Sequence, residues 1–328
     1  VPRRRKGADA AAVEANRAKA RGRSSAADIA IYNRDCIEGM HDGPADSVDL
    51  VVSSIPFGAL FMYSGKTEDI GNNSDGVDMH AGQFGLHMRF FFQELVRVMA
   101  PGAVFACHVQ QLNTTKVQHG YMGMRDFRGA VITLARNHGL DPHGEVAIPK
   151  NPQAVAQRRK LHSLMFVTGK RDSRALAPAA NDYVLFFRKP GEGQAVRGLY
   201  DPKDNPEGWF SQDDWIRWAR GVWDDILEID VLEGYRAARG SEEEKHVCPL
   251  QLEVIRRCIY LYSRPGDCVM DPFMGIGSTA WVCVETGRCC TGFELKESYY
   301  RTAQRNVKRA LEKFSREEVD LFKVKGDR

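Results

Sequence analysis

No two of the eight cysteines (Cys36, Cys107, Cys248, Cys258, Cys268, Cys283, Cys289 and Cys290) stand as a CxxC pair. No histidine cluster completes a zinc-like spacing either, so no metal is expected. Buried thiols in a reducing compartment are the expectation instead. No apolar run approaches the roughly 20 residues of a membrane span, so no membrane partner is expected. The basic N-terminus has no apolar stretch behind it and is not a secretory signal, which points to the cytoplasm. The chain begins with Val rather than Met, as a processed chain or part of a longer one would. No segment repeats at a fixed period. The net charge is only +3, so no global basic field announces a nucleic-acid partner. Such a partner must be argued from local charge.

What is present is a chain of 328 residues, 43% of them apolar. That suffices for one large α/β domain with an insertion. Residues 1–27 read as a basic flexible tail, with Arg3, Arg4, Arg5, Lys6, Arg17, Lys19, Arg21 and Arg23 against Asp9 and Glu14. From Ile29 the pattern turns globular. Strands are expected at Ile29–Tyr32, Val48–Ser53, Gly102–Val109, Glu145–Ile148, Asp182–Arg188, Cys268–Met270 and Cys289–Phe293. Helices are expected near Phe84–Met99, Phe127–His138, Pro249–Leu261 and Ser298–Phe314. Residues 58–82 read as a long loop. Alternating strands and helices predict an open, mostly parallel α/β sheet with helices on both faces.

Residues 192–245 differ. Trp209, Trp215, Trp218 and Trp223 fall there, and Asp201–Lys245 carries 13 acids against 6 bases. This segment is expected to be an inserted subdomain serving recognition, as a lid, or in a homodimer contact. It divides a half at 28–191 from a half at 246–316, with a charged tail at 317–328.

A Gly-x-Gly turn follows the strand at Cys268 and opens a helix near Ser278. Strand, glycine turn and helix is the layout of a nucleotide-cofactor site. Gly275 and Gly277 let the backbone approach a ligand, and the helix start offers free N–H groups. Asp271 ends the first strand, and Glu294 ends the next about 20 residues on, where a carboxylate can accept both ribose hydroxyls.

The segment Asp271-Pro-Phe-Met-Gly-Ile-Gly-Ser-Thr279 resembles the first cofactor motif of the DNA amino-methyltransferases. Gly292–Tyr300 resembles their second. His246-Val-Cys-Pro-Leu-Gln-Leu252 is similar to the segment preceding the first, with Cys248 where the family has lysine. The likeness covers roughly residues 29–190 and 245–312. It implies a Rossmann-like, seven-stranded methyltransferase fold using S-adenosylmethionine, with S-adenosylhomocysteine as product. The implied cofactor residues are Asp35, Cys36, Asp271, Phe273, Gly275, Gly277, Ser278 and Glu294. Asp35 would reach the adenine end.

The family's other hallmark is a strand-end tetrapeptide of Asp, Asn or Ser, then Pro-Pro and an aromatic. Here it reads Ser54-Ile55-Pro56-Phe57. An exocyclic amino group is a poor nucleophile because its lone pair is delocalised into the ring. Acceptors that hold its two N–H bonds free that lone pair, and Ser54 Oγ with the Ile55 carbonyl can supply them. Phe57 can stack on the base, which must flip out of double-stranded DNA to reach the site. Ile55 replaces a proline, which costs stiffness at the turn and keeps the carbonyl.

The tetrapeptide precedes the cofactor motif by about 215 positions. In the resembling family this permuted order places recognition between the two halves. Lys150, Arg158, Arg159 and Lys160 are the candidate DNA-phosphate contacts. Serine at the first tetrapeptide position leans toward cytosine N4 over adenine N6 by association within the family. The short insertion points to relaxed specificity, as in modification enzymes carried by phages, and with no nuclease motif evident modification without cleavage is expected. Two alternatives stay open: a catalytically weakened cofactor- and DNA-binding protein, and methylation of RNA or protein.

Overall fold

The computed structural model describes residues 28–57, 69–70, 82–114, 120–121, 123–159, 162–234 and 249–326, with backbone alone for 158, 159, 162 and 315–326. The basic tail, most of the 58–82 loop and His246–Cys248 lie outside the described residues.

Alternation of apolar residues on both faces makes the central strands. In β2 (Val48–Ser54), Val51 packs into one core while Leu50 and Val52 pack into the other. β3 (Met99–Gln110) repeats the pattern, with Phe105, Cys107 and Val109 opposite Val104 and Ala106. A strand buried on both faces belongs in the middle of a layered α/β domain.

The remaining strands are β1 (Ile29–Tyr32), β4 (Leu112–Thr114), β5 (Gly123–Arg125), β6 (Asp141–Ile148), β7 (Asp182–Arg188), β8 (Cys268–Asp271) and β9 (Cys289–Phe293). The main sheet has seven strands in the order β1-β9-β8-β2-β3-β7-β6, and β4 pairs with β5 separately. Within the main sheet β7 alone runs against its neighbours. The expected Rossmann-like, mostly parallel sheet is what forms.

Helices cover both faces. One face carries α1 (Cys36–Asp42), α2 (Gln83–Val98) and α3 (Phe127–Asn137). In α2, Phe84, Met88, Phe91, Phe92, Leu95 and Val98 form the buried stripe. Each such side chain contributes about 1.5–3 kcal/mol by leaving water. After β6 come three short elements that hold the basic stretch: α4 (Pro152–Arg159), a turn of 3-10 helix and α5 (Phe166–Arg171). The other face carries α7 (Leu252–Tyr262), α8 (Ser278–Thr286) and α9 (Glu297–Gly326), following α6 (Gln212–Trp218) in the chain. α9 runs past the expected end near Phe314, through most of the stretch read as a charged tail.

The tryptophan-rich segment is joined to the domain rather than set apart from it. Trp209, Phe210 and Trp218 form a buried cluster with Tyr260 of α7, and Trp223 enters the core of that face. Trp209 Nε1 donates to the Tyr260 carbonyl at 2.9 Å. Ala147 N donates to Gly221 O and Trp223 N to Ala147 O, each at 2.9 Å, so the segment also covers the outer edge of β6. Of the four tryptophans only Trp215 is exposed, at 46%.

Candidate active site

The C-terminal ends of β8, β9 and β2 converge on one cavity, where open α/β sheets bind their ligands. Asp35, Asp271, Gly275 and Glu294 line it together with Ser54 and Pro56. Cys36, Phe273 and Ser278 also form part of the wall. Two sequence segments more than two hundred residues apart thus share one space.

The glycine turn is built for close approach. Gly275 has φ +56°, and a Cβ added there would meet only Phe273 O, at 4.0 Å, in otherwise open space. Gly277 has φ +91°, and its Cβ would press on Ala303 Cα of α9 at 3.1 Å. One glycine borders open space and the other is packed against a helix. Gly277 is also the N-cap of α8.

Glu294 accepts from Gly275 N through Oε2 and from Lys296 N through Oε1, both at 2.8 Å. Burial pushes its carboxyl up to about 7, although these two N–H groups pull the other way. Asp271 is fully engaged by its own chain. Oδ1 accepts from Ser53 Oγ at 2.6 Å and Phe273 N at 3.0 Å, and Oδ2 from Thr279 Oγ1 at 2.6 Å. Its part is to brace the turn. Asp35 caps α1 through Oδ1, which accepts from Ile37 N at 2.8 Å and Glu38 N at 3.0 Å. Burial raises the Cys36 thiol well above its ordinary range, so it stays protonated.

Ser54 is the last residue of β2, in register with His108 of β3. Ile55 is 1% exposed, and its N–H reaches the His108 carbonyl at 3.4 Å. A proline could not make that tie. Phe57 stands edge-on to His108 and Phe127, with ring centroids 5.8 and 6.2 Å away.

Three residues behind Ser54 belong to no sequence motif. Ser54 Oγ lies 2.8 Å from His108 Nδ1. His108 Nε2 lies 3.2 Å from Asp182 Oδ2, and Lys150 Nζ lies 2.6 Å from the same oxygen. The Nε2–Asp182 contact has ion-pair distance, with the ring N–H off the line of a well-aligned hydrogen bond. Burial would raise the Asp182 carboxyl, but His108 and Lys150 outweigh it and hold it low. A lone histidine near the C-terminal end of an otherwise apolar central strand was the available signal.

This geometry corrects the expectation for Lys150. Its side chain is 11% exposed and ion-paired to Asp182 behind Ser54, not free to reach out as a surface phosphate contact. Arg158 and Arg159 have undescribed side chains, and Lys160 lies outside the described residues. Asp69, Ile70, Pro249, Leu250 and Tyr299 also line the cavity and were not anticipated as site residues. Among the described residues no group of three or more His, Cys, Asp or Glu side chains could hold a metal.

Residues 48–305 match the N6/N4 methyltransferase family model, described as DNA methylase. The Citrobacter freundii Type II methyltransferase M.Cfr9I is 32% identical over 282 residues, 82% of this chain and 84% of its own length. The Methanothermobacter thermautotrophicus Type II methyltransferase M.MthZI is 27% identical over 276 residues, 81% of this chain and 72% of its own. Some curated relatives extend well beyond the matched span; of one, the chain covers 54%. Among solved structures, a Thermus thermophilus protein provisionally assigned as a DNA modification methylase, complexed with S-adenosyl-L-methionine, shares the fold. Its TM-score is 0.61 at 22% identity, over 86% of this chain and 94% of its own.

Proposed function

The chain belongs to the N6/N4 DNA methylase family, and on that footing we propose that it methylates the exocyclic amino group of a base flipped out of double-stranded DNA. Cytosine N4 is the favoured target over adenine N6, and the DNA is modified without being cut. The observation that carries this reading is that Ser54 and Glu294, from opposite ends of the chain, line one cavity.

The cavity fits S-adenosylmethionine on its own terms. Gly275 leaves open space where a side chain would stand, and Glu294 offers acceptor oxygens beside it for ribose hydroxyls. The cofactor supplies an electrophilic methyl on its sulfonium sulfur. Ser54 Oγ and the Ile55 carbonyl are the proposed acceptors for the two amine N–H bonds. Holding those bonds orients the nitrogen lone pair toward the methyl, so catalysis rests on positioning and electrostatics. The preference for cytosine rests on the serine alone.

The test is incubation with labelled S-adenosylmethionine and DNA, followed by mass spectrometry of the nucleosides. N4-methylcytosine is the expected product. N6-methyladenine would move the target base while keeping the chemistry. Label on RNA or protein alone would change the substrate class. No label anywhere, with cofactor binding intact, would reduce the chain to a binding protein.

A further inference from the structure

Behind Ser54, the proposed acceptor, stands a row of polar residues outside the cavity. His108 sits 7% exposed at the end of β3, outside the cavity wall, and touches the site through Ser54. Asp182, at the start of β7, is 6% exposed and faces the far nitrogen of the same ring. Lys150, just beyond β6, closes the row. Four strand ends therefore place a hydroxyl, an imidazole, a carboxylate and an ammonium in line.

We propose that His108 is a positioning and proton-accepting residue for methyl transfer, acting through Ser54, with Asp182 selecting its tautomer. This rests on the reading of Ser54 as the acceptor for the target amine. A carboxylate facing Nε2 favours a proton there, so Nδ1 presents a lone pair to Ser54. The serine O–H then points at Nδ1, and its oxygen lone pairs are turned toward the amine. The opposite tautomer would donate from Nδ1 into Ser54 Oγ and turn the hydroxyl hydrogen onto the amine. That hydrogen would compete with the N–H bonds the site must accept.

The same row gives the released proton a destination. As the nitrogen–methyl bond forms, the sulfur–methyl bond breaks and sulfur keeps the bonding pair. The amine nitrogen then carries a positive charge and one proton in excess. That proton passes to Ser54 Oγ while the serine's own proton passes to His108 Nδ1. The imidazolium faces the Asp182 carboxylate, which is already held in its ionised form. After the product leaves, the proton returns through Ser54 to water. Lys150 compensates the Asp182 charge while the ring is neutral. Among the described residues, the charged groups facing His108 are Asp182 from β7 and Lys150 behind it; Ser54 and Phe57 are its neutral neighbours.

The test has two readouts on the full chain. The first is nitrogen NMR of histidine-labelled protein, with His108 assigned by its loss in His108→Asn. The expected state is Nε2–H with an unprotonated Nδ1, and Asp182→Asn should shift the balance toward Nδ1–H. The second is the pH dependence of kcat on DNA. His108→Asn keeps an acceptor for the serine hydroxyl but cannot take its proton. A loss of about 100-fold or more in kcat is expected, the scale of general base catalysis. KM for DNA and Kd for S-adenosylmethionine should stay within about twofold. The acidic fall of kcat in the wild type should vanish, which a purely structural role would not produce. His108→Gln serves if the asparagine variant does not fold. A wild-type Nδ1–H tautomer, or a variant that keeps its rate and its acid limb, overturns the relay and leaves DNA methylation standing. A wild type that binds cofactor and labels no DNA, with the tautomer as stated, overturns the methylation reading and the relay with it.

Discussion

Ser53 Oγ donates to Asp271 Oδ1 at 2.6 Å across 218 positions of sequence. This joins the strand that carries Ser54 to the turn that carries Gly275. Thr279 Oγ1 holds the other oxygen of the same carboxylate at 2.6 Å, so one buried acid fixes both motifs. Burial raises this carboxyl, and the donors oppose the rise. Removing either hydroxyl strands part of a buried acceptor, which costs about 1–3 kcal/mol. Ser53→Ala and Thr279→Ala should each lower denaturant stability by that amount, and the pair should be non-additive by at least about 0.5 kcal/mol. Ser53→Ala should also weaken S-adenosylmethionine binding several-fold, although Ser53 does not face the ligand. Unchanged cofactor affinity would mean the two halves are not coupled here.

The candidate cofactor residues stand out in the sequence because they are contiguous. Asp271, Gly275 and Gly277 lie on one turn, and Glu294 ends the next strand. Ser54–Phe57 was legible for the same reason. His108, Asp182 and Lys150 were not, since each comes from a different strand and none sits in a motif. Only the pairing of β3 with β2 and β7 assembles them. The packing of the tryptophans was not legible either. Composition marks Trp209, Trp218 and Trp223 as large apolar surface, but it does not say which surface receives them. α7 receives two and the main core the third. β6 starts at Asp141, earlier than its apolar pattern suggests, because pairing with β7 rather than burial holds its polar first residues.

The two turn glycines should fail in different ways. Gly277→Ala places a Cβ 3.1 Å from the α9 backbone at a φ of +91°. It should lower stability by about 2 kcal/mol or more, from the left-handed backbone and the helix contact together. Gly275→Ala bears a comparable backbone cost at φ +56° but meets open space. It should fold with the smaller loss and bind S-adenosylmethionine at least tenfold more weakly. Paired thermal melts and calorimetric titrations separate the two; equal effects on affinity would refute the division.

Ile55 is where the tetrapeptide departs from its family. Its side chain is buried in the core and its N–H makes only a long, 3.4 Å tie to His108 O. Ile55→Pro should therefore cost about 1–2 kcal/mol, chiefly through lost packing. The carbonyl remains, so kcat should stay within about threefold of the wild type. A tenfold gain in kcat would show that the isoleucine holds the enzyme back.

With Lys150 committed to Asp182, Arg158 and Arg159 are left as the testable phosphate contacts. If both touch DNA phosphates, reversing their charge should remove about two released counterions. The slope of log K against log salt should then flatten by about 1.8. Filter binding at several salt concentrations reads this directly, and an unchanged slope would exclude the pair.

Glu294 couples the cofactor site to pH. Its carboxyl rises from an ordinary 4.5 to about 7 on folding. A group raised in the folded state contributes stability that is fully present below 4.5 and is lost as pH climbs to about 7. The full shift corresponds to roughly 3 kcal/mol at most, and water reaching the cavity reduces it. Glu294→Gln should flatten the stability profile across this window. Only the ionised form accepts from two ribose hydroxyls with both oxygens, so affinity for S-adenosylmethionine should rise with pH through about 7. Binding at pH 6 should accordingly release a proton, measurable by calorimetry in buffers of different ionisation enthalpy. In Glu294→Gln that proton release should disappear while affinity falls at least tenfold. A wild type that binds without releasing protons, with an affinity independent of pH, would place the ribose elsewhere than on Glu294.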